Sequence, residues 1–491
     1  MREMQRHPDR AARLISQRSI DRCVVLGALG LLGFWQPGPL VAAGPVQAVV
    51  KHTAADPLSL ARFGSTIAVE GDVAVIGAIG DSTIADCAGA AYVFRRDECG
   101  VWTEEQKLLA FDGFQDQLFG SSVAVLDNLI LVGAWRDIQN GTESGSVYVY
   151  EFDGANWSLD SKIFPLDGSA GDKFGFSVAL KLGFGTIRAC IGAYLEDDAS
   201  LESGSVYVFD RIGDGLWEQD GKFQGDDTAM SDSFGWSLDY NGTDIIVGAY
   251  LDDDNGNGSG SAYFFRKNLV EEWAQFDKVT ASDGGPVDSF GIDVAIDNDI
   301  AVVGAHLDDE MGPSAGAAYV FRRIGGAWIE QAKLTAPDGM PDDQLGRRVD
   351  VQGDTVIVGA ERNSGSHQEM GAVYVFQSVG SQWQFKSKLI SPDPDDFEEF
   401  GHEVALIDGT ALIGAWRDVE VTEFGAVYAF DLSQIDCLGD INLDGVIDTA
   451  DLGFLIAAFG GASPASDLNE DGIVDTADLG LLIALFGSSC S

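Results

Sequence analysis

Along most of the chain the apolar positions fall in short runs with a period of two, as at residues 73–77 and 317–321, bounded by turn formers such as Gly71-Asp72 and Gly353-Asp354. That pattern predicts strands joined by tight turns. A repeat organises the runs. Phe-Gly, once Leu-Gly, recurs at Phe63, Phe119, Phe174, Phe234, Phe290, Leu345 and Phe400, in steps of 56, 55, 60, 56, 55 and 55 residues; a fixed period of this size marks a repeat architecture. Gly-Ala follows fourteen residues after the Phe in six copies and eighteen after in the third, at Gly192, where residues 181–186 are expected to lengthen a turn. A tyrosine closes the next strand in every copy, from Tyr92 to Tyr428, and a Trp with a Lys, such as Trp102 and Lys107, marks a fourth. Each copy reads as a four-stranded antiparallel sheet. Its small Gly-Ala pair lets the neighbouring sheet approach, and its Phe and Tyr fill the wedge between them.

Seven such sheets set radially make an all-β seven-bladed β-propeller, which leaves only short edges. The seventh copy has no fourth strand after Tyr428. Counting back from each Phe-Gly, however, Lys stands twelve residues before and Asp seven before in all seven copies, from Lys51 and Asp56 to Lys388 and Asp393. Residues 49–53 therefore carry the pattern of a fourth strand with no three strands ahead of it, and are predicted to complete the seventh sheet. The seven Lys are expected to meet these Asp as partly exposed pairs worth at most about 1 kcal/mol each.

These units resemble the FG-GAP repeats of integrin α-chains, and more closely their compact bacterial form, Lys-Leu-x-Ala-x-Asp-Gly, Asp-x-Phe-Gly, Val-Gly-Ala, Gly-Ala-x-Tyr-Val-Phe, which residues 333–376 follow almost throughout. The resemblance spans residues 49–433 and implies the propeller. It does not carry over the integrin calcium loops, because the interval between Phe-Gly and Gly-Ala holds only a short turn here.

Charge narrows the function. With 78 Asp+Glu against 30 Lys+Arg, net −48, the chain lacks the basic surface that nucleic acid or an anionic membrane requires. Strand direction puts the links between blades and the links between second and third strands on one rim, and both are acidic. They hold the repeated Asp, a second acid two residues before Phe-Gly (Asp172, Asp232, Asp288, Asp343, Glu398), and runs such as Asp308-Asp309-Glu310. At the most crowded point, Asp252, Asp254, Asn255 and Asn257 read either as oxygen ligands for a propeller calcium or as turn formers.

The two ends differ from the repeats. Six arginines, an apolar run at 23–35 and the small-residue stretch holding Val46, Gln47 and Ala48 give residues 1–48 the order of a secretory signal peptide. The run is short of the roughly 20 residues a membrane span needs, so a secreted, extracellular protein is expected, calcium being available there. At the other end, residues 440–451 and 467–478 each match a twelve-residue calcium loop. The ligands would be Asp440, Asn442, Asp444, the Val446 carbonyl, Asp448 and Asp451 in one, and Asp467, Asn469, Asp471, the Ile473 carbonyl, Asp475 and Asp478 in the other. Each loop runs into an apolar helix. Loop then helix, twice, resembles a type I dockerin over residues 436–491, a small α-helical calcium-binding domain. The resemblance implies that Thr449, Ala450, Thr476 and Ala477 contact a cohesin-like module; a calcium-stiffened cap without a partner is the other reading. Cys437 and Cys490 flank the loops and are expected to form a disulfide. Cys87 and Cys99 stand at opposite ends of a predicted strand, too far apart to bridge, and Cys190 falls in an inner strand as core.

No metal-protease or P-loop motif occurs, and the Gly-x-Ser-x-Gly at 312–316 lies in a link rather than a strand-to-helix elbow. The reading is a secreted, non-enzymatic binding or scaffold protein. Its propeller presents an acidic face to a carbohydrate or protein ligand, and its tail attaches through calcium. The alternative is a carbohydrate-active enzyme, a polysaccharide hydrolase or lyase. A catalytic site would break the repeat with unlike polar residues at one mouth, whereas the loops look near-equivalent apart from 252–257.

Overall fold

The computed structural model describes residues 49–56, 58–198, 200–268, 272–365, 367–380, 382–417, 424–432, 449–461, 466, 468 and 473–486. Residues 1–48, expected to be a signal peptide, together with Cys437, Cys490 and the loop residues Asp440, Asn442, Asp444, Val446, Asp448, Asp467, Asn469 and Asp471, lie outside the described residues.

The described strands form seven four-stranded sheets. Six use four consecutive strands; the first has Phe63–Glu70 innermost, then Val73–Ala78, Ala90–Arg96 and Trp102–Leu108. The seventh sheet orders Val49–His52 beside Ala426–Asp431, followed by Thr410–Ala415 and Phe400–Ile407. Val49 pairs with Phe430 and Lys51 with Tyr428 in an antiparallel register, so the predicted closing strand is in place. Its Lys51 ammonium lies 2.7 Å from Asp393 and 5.4 Å over the Tyr428 ring, as Lys107 lies against Asp56 and Tyr92 in the first blade.

Seven apolar cores follow, each shared by two consecutive blades. The last joins Ala405, Leu412, Val427 and Ala429 of the seventh blade to Phe63, Tyr92 and Phe94 of the first, and His52 adds its ring 5.8 Å from Phe94. The ring is therefore shut by packing as well as by pairing. In six copies the Phe of Phe-Gly meets the Tyr ring at 5.2–5.5 Å, edge to face, a favoured arrangement of two quadrupoles. Glycine is required where the blades touch: a Cβ on Gly304 would sit 1.9 Å from the Gly346 carbonyl oxygen of the next blade.

One sequence expectation needs correction. In the third blade the extra residues do not lengthen a turn; they prolong the inner hairpin, whose strands Val178–Gly183 and Thr186–Ala193 stay paired to Gly183 and Thr186. Buried Arg188 supports it, 2.8 Å from Asp210 and donating to the Gly183 carbonyl at 2.7 Å. The seven Lys do meet the repeated Asp as partly exposed pairs; what the sequence did not disclose is a second, buried acid beside several of them, described below. Cys190 is free and buried and Cys87 is free and half-buried, whereas Cys99 is disulfide-bonded, so Cys87 and Cys99 are not bridged to one another.

In the tail, helices Thr449–Ala458 and Thr476–Leu485 share a small core of Leu455, Leu468, Val474 and Leu482. Asp475 caps the second helix by accepting from the Ala477 amide, while Asp478 accepts from the amides of Asp475 and Leu468, each at 2.7 Å. No helix among the described residues is long and apolar enough to cross a membrane.

Candidate functional site at the inner ends of the blades

The acidic rim is held by one motif, repeated. In the first blade the Tyr92 hydroxyl lies 3.0 Å from both Asp56 and Asp81, and Lys107 reaches both carboxylates at 2.8 Å. Tyr148 with Asp112, Asp137 and Lys162, and Tyr319 with Asp283, Asp308 and Lys333, repeat it. Asp81 is fully buried and the Lys107 side chain only 14% exposed, so this second contact is a buried pair, while Asp56 stays more than half open to solvent. Burial pulls the Asp56 carboxyl upward, but hydrogen bonds from Lys107 and Tyr92 outweigh it and hold the group below its ordinary value.

The Asp252 cluster is one more instance. The Asp252 carboxylate accepts from the Tyr263 hydroxyl at 2.6 Å, and the Lys278 ammonium stands 3.2 Å from Asp252 and 2.6 Å from Asp254. Asn255 donates its backbone N–H to Ser259 Oγ, and the Asn257 carbonyl accepts from the Val287 amide. An ammonium thus already supplies the countercharge, as Lys333 does between Asp308 and Glu310. The second acids serve the links too: Asp232 accepts from the Ala229 amide and Asp288 from the Gly285 amide.

The repeat breaks elsewhere. At the same rim, the residue two after the Phe and the residue directly after Gly-Ala stand at the ends of the two inner strands of each blade, around the ring's axis. The first column reads Ser65, Ser121, Phe176, Trp236, Ile292, Arg347 and His402; the second reads Ile79, Trp135, Tyr194, Tyr250, His306, Glu361 and Trp416. Over blades two to four they form an aromatic arc. Trp135 lies 6.2 Å from Phe176, Phe176 lies 4.5 Å from both Tyr194 and Trp236, and Trp236 lies 4.6 Å from Tyr250. All five rings are half-buried, leaving part of each surface open.

Over blades five to seven four of the six positions are polar or charged: His306, Arg347, Glu361 and His402. His402 contacts Glu361 through Nδ1 at 2.8 Å and stacks on Trp416 at 4.1 Å. Arg347 reaches Glu361 at 3.5 Å and the His306 ring nitrogen at 3.5 Å. Glu399 accepts from the Trp416 indole and pairs with Arg417 at 2.6 Å, and Arg62 lies 4.8 Å over the Trp416 ring. One ligand atom from each of Glu361, Glu399 and His402 lies within 4.8 Å of the others. Arg347 and Arg417 already neutralise these carboxylates, however, so the group is arranged to handle protons or anions more than a cation.

Burial, with the Arg347 charge behind it, pushes the His306 imidazole down to about 3. Burial also lowers His402 despite its bond to Glu361. Burial would raise Glu361, but the His402 hydrogen bond and the Arg347 and Arg348 charges hold it at about 2. The pair is therefore a neutral imidazole donating Nδ1–H to a carboxylate, with Nε2 left basic. The sign of the pH effect follows. An unfolded histidine binds its proton near 6.5 while folded His306 stays neutral to about 3, so its stabilisation is complete above pH 6.5 and is lost as pH falls through that window. Asp350, pushed up to about 8 by burial, works in the opposite direction. The expected result is thus a difference: between pH 7 and pH 4, His306→Gln loses less melting temperature than wild type, as scanning calorimetry at stepped pH would record.

The break in the repeat, expected in the loops at 252–257, lies instead at the rim ends of the inner strands. The signal was present in the two columns, which run from serine to tryptophan, arginine and histidine while their flanking Phe-Gly and Gly-Ala stay fixed. Of the tail residues predicted, Asp451, Asp475 and Asp478 stand at helix starts with Thr449, Ala450, Thr476 and Ala477, and Asp451 and Asp478 are buried.

A scan against protein families matches the family described as FG-GAP repeat at residues 47–94, 102–150, 157–209, 217–265, 273–321, 328–376 and 383–430, more than half of the chain. No curated protein matches it.

Proposed function

We propose that this chain, which belongs to the FG-GAP repeat family, is an exported binding protein that takes its ligand at the inner, acidic-rim end of its seven-bladed propeller and is attached through a calcium-loaded dockerin-like tail. One observation carries the first half. The Tyr–Asp–Lys motif recurs around the rim, while the two columns beside the axis diverge into an aromatic arc and a charged cluster. Packing alone would give neighbouring blades similar residues there; a ligand contacted by several blades at once would not. The test is a glycan array probed with the full chain. Trp236→Ala and Arg347→Met are expected to abolish the wild-type signals and Asp254→Asn to keep them; signals unaffected by both mouth variants would remove the site.

For the tail, the paired loop motifs support calcium as the cofactor and a cohesin-like module as the partner. Calorimetry on the full chain is expected to find two calcium sites, with Asp451→Ala and Asp478→Ala each removing one, because position twelve supplies the closing carboxylate. Two sites persisting in the double variant would move calcium to the propeller.

A second reading, a carbohydrate-active enzyme, is favoured by the His402–Glu361 pair, since a neutral imidazole oriented by a carboxylate is the arrangement a general base needs. Product formation from a bound polysaccharide, lost in His402→Gln with binding retained, would support it.

A further inference from the structure

Resting on the mouth being the binding site, we infer that its ligand is an acidic polysaccharide, with pyranose rings laid along Trp135, Phe176, Tyr194, Trp236 and Tyr250 and a carboxylate held by Arg347 and its neighbouring arginines. In a chain of net −48 five arginines gather here: Arg62, Arg347, Arg348 and Arg417 belong to one cluster, and Arg362, exposed beside Glu361, adds its charge to Arg347 and Glu399. Their internal partners do not use them up. Arg347 Nε has only the long 3.5 Å ion pair to Glu361 and no hydrogen bond, and His306 Nδ1 is buried without a hydrogen-bond partner among the described residues; a donor left so is normally satisfied by something. A guanidinium matches a carboxylate in plane and charge, which a neutral sugar lacks.

The aromatic half completes the match. The C–H faces of a pyranose are apolar and flat, and rings offering half-exposed surfaces over three consecutive blades suit several sugar units in a row. An acidic peptide would engage the arginines but leave the arc bare. Nucleic acid would be repelled by the carboxylates of the surrounding rim. The acidic rim also gives specificity: an anion is accepted only where the arginines outnumber the acids, at the axis.

The experiment compares three probes on the full chain by calorimetry: oligogalacturonate, its methyl ester, and oligoglutamate. Oligogalacturonate is expected to bind about tenfold or more tightly than the ester, weakening with added salt. Arg347→Met is expected to erase that preference, and Trp236→Ala to weaken both sugars alike. If a mouth variant unfolds, Arg417→Gln and Tyr250→Leu serve instead, each checked by melting temperature. Equal binding of acid and ester that is still lost in the mouth variants would overturn the acidic class while leaving the site. Binding indifferent to those variants would overturn both. Tighter binding of oligoglutamate, or no binding of either sugar, would overturn the inference.

Discussion

Replacing Lys107 with Met is expected to destabilise the propeller by about 3–5 kcal/mol, the range for removing one partner of a buried pair, against about 1 kcal/mol for a solvated one. The reason is geometric. Asp81 has no solvent exposure; one oxygen accepts from the Thr83 amide at 2.9 Å, and the other faces the Tyr92 hydroxyl at 3.0 Å and the Lys107 ammonium at 2.8 Å, its one cationic partner among the described residues. Without the ammonium, Asp81 and Asp56 share one hydroxyl and repel. Asp56 is more than half exposed and water will screen it, so most of the cost falls on Asp81. Adding Asp81→Asn should therefore return much of the loss, a coupling that a urea-unfolding double-mutant cycle reads directly. A single-mutant cost below about 1 kcal/mol would mean that the rim pairs are surface pairs after all.

Gly304→Ala is the other large effect. Its Cβ would lie 1.9 Å from the Gly346 oxygen and 3.0 Å from that residue's carbonyl carbon. Both are backbone atoms of the next blade, so no rotamer change relieves the clash. Overpacking a core usually costs about 1–3 kcal/mol; pushing two blades apart should reach or exceed the top of that range. Gly409→Ala, at a turn with nothing within 4 Å but a positive φ of 76°, should cost about 1 kcal/mol or a little more. Thermal melts of the two variants separate blade contact from backbone freedom; equal shifts would deny the contact its importance.

The fold was legible because its causes are local and repeated. Phe-Gly and Gly-Ala mark the two glycines that let blades touch, Lys and Asp mark each outer strand and link, and the leftover Lys51 and Asp56 disclosed the closing strand. The site was not legible by the same reading. Trp236, Arg347 and His402 occupy equivalent positions in their copies, and a search for what repeats passes over a column that varies. Trp135 and Phe176 are 41 residues apart in sequence and meet only because blade three follows blade two around the ring. The Asp252 cluster misled for the converse reason: a crowd of acids looks like a cation site until Lys278, from the neighbouring outer strand, is seen among them.

The mouth exists only if the ring is closed, and hydrogen exchange of the mature protein tests closure most directly. The amides of residues 50–52 that bond across the pairing with Ala426–Asp431 are expected to exchange as slowly as those of the central strands. Fast exchange there, with the rest of the seventh blade protected, would contradict the account.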